Sequence, residues 1–527
     1  MKIFNIYIVI LVLLVSSCIN DKSDLVYPKN NANFSEIEIS SDTDTLSIDL
    51  GQKLEFTPNI TMSIEGEASY QWFASFKHVD SGVLDDSVHC GNNKTLSHIF
   101  TKPGEYNLNL EVKNKDYKEV KTWLLKVRNY DEGYMIVGND EATNKSTLSF
   151  ARILSPTEIL EGKELKFSLN LFEKFNPEYK LENVIKICKS IIEYRSSSSY
   201  LHIITKEKIY VCEPSTFKLI IVLDFTKEYP GEYITGASIE DTHAPSTYLS
   251  TSKGRVIQYQ KAQLGFFEST SFIGEYDKVY TGYYNIFYSN LTTQIIGIKN
   301  SKLYTSIPYF EYYGGSNPAN NTMVKIDGTF VDDGKINEFE DYNIINLFTM
   351  NGNGGEGQNT HFYAIGKNKS ISENYKVIEY DVNTSNAWEI INEFEVNNPI
   401  CTISEKSITP NGRYNCAYYF NDNKIYLWYP SNIAPLNKFP NDDAIDLGEG
   451  KEVTLIKVSH DMREIYVGFI DNNSSEEYKG GMYIYNASDI GVVPNLKPTQ
   501  KFENITSRPI DIIYKSLSQD NYIPAAK

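Results

Sequence analysis

The chain reads as an all-β protein: an N-terminal immunoglobulin-like sandwich followed by a seven-bladed β-propeller. Three observations carry this expectation. Tyr (39) and Phe (26) are abundant, and aromatic richness interrupted by Asn, Gly and Ser is the composition of strands and turns. Short apolar segments separated by turn residues recur from residue 34 to residue 128. Beyond residue 133 a longer unit repeats, which is the mark of an architecture built from similar sheets.

The elements follow in order. Lys2 precedes an apolar run, Ile3–Val15, that ends in Ser16-Ser17-Cys18. A charged start, a short apolar stretch and small residues make a secretory signal, and the run is too short to span a bilayer. The cysteine directly after two serines makes residues 1–17 resemble a bacterial lipoprotein signal. That resemblance implies cleavage before Cys18, acyl chains on Cys18 and a membrane partner reached through that lipid. Residues 18–33 are polar without apolar period and read as a tether. Asp21 and Asp24 resemble the acidic export signals of lipoproteins that Bacteroidetes display at the cell surface.

Residues 34–128 hold the segments Ile37–Ile39, Lys53–Phe56, Ser69–Ala74, Thr95–Phe100, Tyr106–Val112 and Thr122–Val127. Tyr106–Val112 alternates apolar and polar residues as a half-buried strand does, after a Pro103-Gly104 turn. About seven short strands in roughly 95 residues suggest an immunoglobulin-like sandwich, with Trp72 as its core tryptophan. The stretch Leu96–Asn114 resembles the end of a PKD domain: an aromatic residue, a short gap, Gly-x-Tyr, then alternating apolar residues ending near Asn.

Residues 133–515 carry the repeat. Ile408-Thr409-Pro410-Asn411-Gly412-Arg413 precedes the strand Tyr414–Phe420, and Val458-Ser459-His460-Asp461-Met462-Arg463 precedes Glu464–Ile470. Second strands follow at Lys424–Tyr429 and Met482–Tyr485. Tyr200–Thr205, Thr247–Thr251, Ile295–Lys299 and His361–Ile365 fit as further first strands. About seven blades of roughly 50 residues result, leaving 516–527 as a tail. The whole layout of signal, tether, PKD-like module and large β domain resembles the PKD-like lipoproteins of Bacteroidetes. That resemblance implies an outer-membrane protein, cell-surface or periplasmic, working beside SusC/SusD-type uptake systems for glycan, peptide or another large nutrient.

Charge and motifs narrow the function. A net charge of −18 argues against nucleic acid, which needs a basic face. No HExxH, GxSxG or GxxxxGK[ST] motif occurs, and the seven histidines are scattered. We therefore expect no catalytic residue, metal or cofactor. Cys188/Cys212 and Cys401/Cys416 are possible strand-to-strand bridges, with buried thiols as the alternative. Asp333–Glu340 resembles the back half of a calcium loop, but Val331 stands where a ligand is needed.

Two sets of residues are candidates for binding. Aromatics crowd at Tyr283 and Tyr284, and at Tyr309, Phe310, Tyr312 and Tyr313 before a Gly/Asn/Pro loop; such rings stack on sugars or pack on peptides. Loops leading into the innermost strands supply Arg195, Asp241, His243, Gln358, Arg413, His460 and Asp461, since polar groups that converge on a concave face suit a ligand. The reading is a non-catalytic capture or docking protein. Its rivals are a propeller hydrolase or lyase, which needs two essential carboxylates, and an adhesion or assembly scaffold.

Overall fold

The computed structural model describes residues 37–516 except 64–65, 79–80, 116, 194–195, 238–245, 262–263, 269–273, 288–289, 307–338, 352–359, 383–387, 398, 400–402, 405–406, 430–442 and 460. Among the described residues no helix is long and apolar enough to cross a membrane. The chain forms two compact units. One comprises the chain to Ile48 with Gln52–Phe100 and Gly104–Val127; the other comprises Asp49–Gly51, Thr101–Pro103 and the chain from Arg128.

The first unit is a β-sandwich of nine strands: β1 (Ile37–Ser40), β2 (Thr45–Asp49), β3 (Lys53–Phe56), β4 (Asn59–Met62), β5 (Ser69–Lys77), β6 (Val88–Gly91), β7 (Leu96–Ile99), β8 (Gly104–Asn114) and β9 (Tyr117–Arg128). Five of them form one sheet in the order β2-β9-β8-β5-β6, and β1-β4 and β3-β7 pair separately. On β8, Tyr106, Leu108, Leu110 and Val112 point inward, as their alternation requires. Trp72 and Trp123 are fully buried with ring centroids 5.6 Å apart. Their indole N–H groups are satisfied by Asn93 O at 2.9 Å and Ser41 Oγ at 2.7 Å. Apolar body and polar handle are therefore both used, the condition under which a tryptophan suits a core.

The second unit is a seven-bladed propeller. Blade 1 contains β10 (Gly133–Asn139), β11 (Ser146–Arg152) and β12 (Phe167–Ser168). Blade 2 contains β13 (Val184–Glu193), β14 (Ser196–Thr205), β15 (Lys208–Cys212) and β16 (Leu219–Asp224). Blade 3 is β17 (Ile234–Ala237), β18 (Ser246–Thr251), β19 (Val256–Gln260) and β20 (Gly265–Glu268), and blade 4 is β21 (Lys278–Phe287), β22 (Asn290–Lys299) and β23 (Lys302–Ser306). Blade 5 is β24 (Tyr342–Asn351), β25 (Thr360–Asn368), β26 (Asn374–Val382) and β27 (Trp388–Asn397). Blade 6 is β28 (Ile408–Asn411), β29 (Cys416–Asn421), β30 (Lys424–Trp428) and β31 (Ile445–Asp446). Blade 7 is β32 (Lys451–Val458), β33 (Glu464–Asp471), β34 (Gly480–Asn486) and β35 (Gln500–Thr506), and β36 (Arg508–Lys515) follows it.

Every blade is an antiparallel meander, and blade 1 is completed by the far end of the chain: β36 pairs with β10. The first strands of successive blades pack on one another in a closed circuit. β36 meets β13, then β17, β21, β24, β28 and β32 follow in turn, and β32 meets β36 again. Between the blades lie separate apolar seams, for example Tyr363, Tyr375, Tyr419 and Trp428 between blades 5 and 6. Two glycines fit where backbones crowd. At Gly133 (φ +156) a Cβ would lie 2.0 Å from Ala151 O, and at Gly480 it would lie 1.8 Å from Ser507 O.

The pairing corrects one part of the sequence reading. Tyr200–Thr205, Thr247–Thr251, Ile295–Lys299 and His361–Ile365 lie on β14, β18, β22 and β25, the second strands of their blades. The true first strands were hidden because six of the seven carry a one-residue bulge against the second strand, at Ile185, Thr235, Gly282, Ile345, Thr454 and Ile510. A bulge breaks the period of two on which strand recognition depends. The Cys188–Cys212 bridge is also excluded. Cys188 pairs with His202 and Cys212 with Leu201, so β14 stands between them, and neither forms a disulfide.

Candidate functional site

Because each blade is a meander, all first-to-second-strand hairpins lie at one end of the propeller. The expected candidate loops are these hairpins; they leave the innermost strands and do not lead into them. Two of them, from blades 6 and 7, lie within the described residues except for His460.

In blade 6, Asn411 is completely buried. Its Oδ1 accepts from Arg413 N at 3.1 Å, and its Nδ2 donates to Met462 O at 3.1 Å and Tyr418 Oη at 3.3 Å. One side chain thus shapes its own turn and ties it to the next blade. In blade 7, Ser459 Oγ donates to Asp461 Oδ1 at 2.7 Å and accepts from Glu464 N at 3.0 Å. Asp461 Oδ1 also accepts from Arg463 N at 3.2 Å. Met462 completes this turn in the left-handed region, φ 59, where a non-glycine residue is uncommon.

The charges here are coupled. Burial pushes the Asp461 carboxyl up, but the hydrogen bonds from Ser459 and Arg463 N and the guanidinium charges of Arg463 and Arg413 outweigh it, so it sits below the ordinary carboxylate range. Glu464 goes the other way: burial and the Asp461 charge hold it above its usual value, against the Tyr466 hydroxyl at 3.4 Å. The structure thus brings Arg413 and Asp461 together on neighbouring hairpins.

The same end of the propeller holds polar groups that sequence reading missed. Lys515, the last residue of β36, is buried and donates to the main-chain carbonyls of Tyr130 and Pro214. Its ammonium lies 4.7 Å from the Phe150 ring centroid and 5.0 Å from that of Phe217, a cation–π arrangement. Burial pulls its pKa down to about 7, with Lys189 adding to this and Asp131 and Glu213 opposing it. Lys189 donates to Ser516 O. The signal available in the sequence was a lysine ending the apolar run Ile510-Asp511-Ile512-Ile513-Tyr514.

Other candidates separate. Arg195, Asp241, His243, Gln358, His460, Tyr309, Phe310, Tyr312 and Tyr313 lie outside the described residues, as do Cys18, Cys401 and most of the calcium-like loop. Tyr283 and Tyr284 lie on β21, paired with Gln294 and Thr293 of β22. His202 is a core histidine: it is fully buried, lies 2.9 Å from Tyr259 Oη, and burial depresses its pKa to about 3. Asp471, at the end of β33, accepts from Asn473 N at 2.9 Å and pairs with Lys451 at 2.9 Å, as a turn-forming aspartate does. Among the described residues no group of three His, Cys, Asp or Glu side chains is arranged to hold a metal.

No protein-family model matches this chain, and no curated protein matches it. Among solved structures it is similar to a quinonprotein alcohol dehydrogenase-like protein from Bacteroides thetaiotaomicron, at 13% identity and a TM-score of 0.45 over 91% of this chain and 99% of that one. A DUF4784 family protein from Bacteroides caccae has 9% identity and a TM-score of 0.28 over 91% of this chain and 99% of that one. An ACO/RPE65 chimera has 9% identity and a TM-score of 0.38 over 79% and 97%. At such values no activity passes from them to this protein; its propeller fold is read from its own strand pairing.

Proposed function

We propose that this protein is a non-catalytic capture protein of the outer membrane, held by lipid on Cys18 and facing the cell exterior. Its propeller binds a glycan or peptide nutrient, or docks on a SusC/SusD-type transporter, through the end that carries the first-to-second-strand hairpins. The observation that carries the reading is the pair of hairpins from blades 6 and 7. They are fixed to each other by Asn411 and present Arg413 and Asp461 together beside the innermost strands. Preorganised polar groups at the mouth of a propeller suit recognition. The anchor rests on Leu14–Cys18 and the uptake setting on the resemblance to PKD-like lipoproteins.

The test is to recover the lipidated protein from native outer membranes and identify by mass spectrometry what accompanies it, then to screen it against glycans and peptides. Co-recovery of a transporter pair, or saturable ligand binding without turnover, is the expected result. A lone protein that binds nothing, or one that cleaves a glycan through two essential carboxylates, overturns the proposal.

A further inference from the structure

We infer that Arg413 and Arg463 form a fork that receives a carboxylate of the captured ligand, so that the ligand is acidic. The inference deepens the capture reading and rests on it. The two arginines close equivalent halves of the sequence repeat, each at the end of a polar turn between first and second strands. Both are exposed, and their hairpins are joined by the bond from Asn411 Nδ2 to Met462 O, 3.1 Å. Both guanidinium charges act on Asp461, so they share one small region of the propeller end.

Among the described residues, the donors of this pair are largely unused. Arg463 Nε lies 3.8 Å from Asp461 Oδ2, longer than a hydrogen bond. The other carboxylate oxygen of Asp461 is taken by Ser459 Oγ and Arg463 N. Among the described residues, no hydrogen-bond or ion-pair partner holds the guanidinium of Arg413. Two guanidiniums thus stand beside the Asp461 carboxylate with donors to spare. A guanidinium presents planar paired donors that match a carboxylate. Asp461 then acts as a positioning residue that holds Arg463.

The test uses the full chain with three probes of equal length: an oligogalacturonate, an oligoglutamate and a neutral oligosaccharide. The expected result is binding of one or both acidic probes and not the neutral one. Arg413→Ala and Arg463→Ala should each weaken it at least tenfold, Arg413→Lys should restore part of it, and added salt should weaken it. The better acidic probe tells sugar from peptide. Equal binding of the neutral probe, or unchanged affinity in both alanine variants, overturns the fork and leaves capture standing. Failure of every probe also overturns the fork, and failure to recover any transporter as well overturns the capture reading.

Discussion

The two faces of β36 are built from different chemistry, although they belong to one strand of eight residues. Toward blade 7, Ile512 and Tyr514 join an apolar seam with Tyr134, Ile136, Tyr466, Met482 and Phe502. Tyr134 packs edge-on against Tyr514 at 5.2 Å and Tyr466 at 5.7 Å. On the other face, Asp511 accepts from Ile187 N of blade 2 at 3.0 Å and from Lys457 Nζ of blade 7 at 2.5 Å, and Lys515 is caged by two carbonyls and two phenyl rings. Burial of apolar area is strong but non-directional. The polar face is directional. A slip of one residue would turn Asp511 and Lys515 into the apolar seam, so this face sets the register in which the propeller closes.

Changes to β36 should act with graded severity. Ending the chain at Ser507 removes both faces, and we expect blade 1 to stay open, with loss of cooperative unfolding and of near-ultraviolet dichroism. Asp511→Ala leaves the buried Ile187 N and the partly exposed Lys457 without their partner and should cost about 3 kcal/mol. Ile512→Ala removes apolar contact from a fully buried site and should cost about 2–5 kcal/mol. Urea unfolding of the two variants sharpens the contrast. Asp511→Ala should also raise exchange at β36 amides, whereas Ile512→Ala should lower stability with β36 still in register.

A pH test turns on one buried carboxylate, Glu158. Glu158, in the helix α1 (Pro156–Leu160), accepts from Arg152 Nη2 at 2.8 Å and 3.1 Å, from Ser155 N at 2.9 Å and from Arg128. Burial pushes its pKa up, but these donors outweigh that and bring it down to about 2 from 4.5. A carboxyl depressed in the folded state contributes stability above its unfolded pKa and loses it as pH falls through the folded value. Stability should therefore fall between about pH 4.5 and about pH 2, and Glu158→Gln should flatten that part of the acid-unfolding curve. The smallest effect is expected from Tyr514→Phe, which removes a 2.6 Å bond to the exposed Glu132 and should cost about 0.5–1.5 kcal/mol.

The sequence revealed the two β regions and seven blades because second and third strands alternate or run apolar, as Tyr414–Phe420 and Glu464–Ile470 do. It placed the strands one position too far inward because the bulged first strands do not alternate. The closing strand was legible as apolar residues at 508–515, but its pairing with β10 was not, since no local pattern joins residues more than 350 positions apart. Of the candidate site, Arg413 and Asp461 were legible from the repeated turn. Lys515 and Asp511 were not, because a charge in a short apolar run looks like an edge residue until the neighbouring blades are in place.

The most direct test of this account is native-state hydrogen exchange across β36 and β10. If β36 closes the propeller in register, the amides of Ile512 and Ile513 should exchange only with global unfolding, at the same free energy as Met135 and Ile136. Exchange of β36 at low free energy while β10 stays protected would show a loosely added terminal strand and would contradict the account.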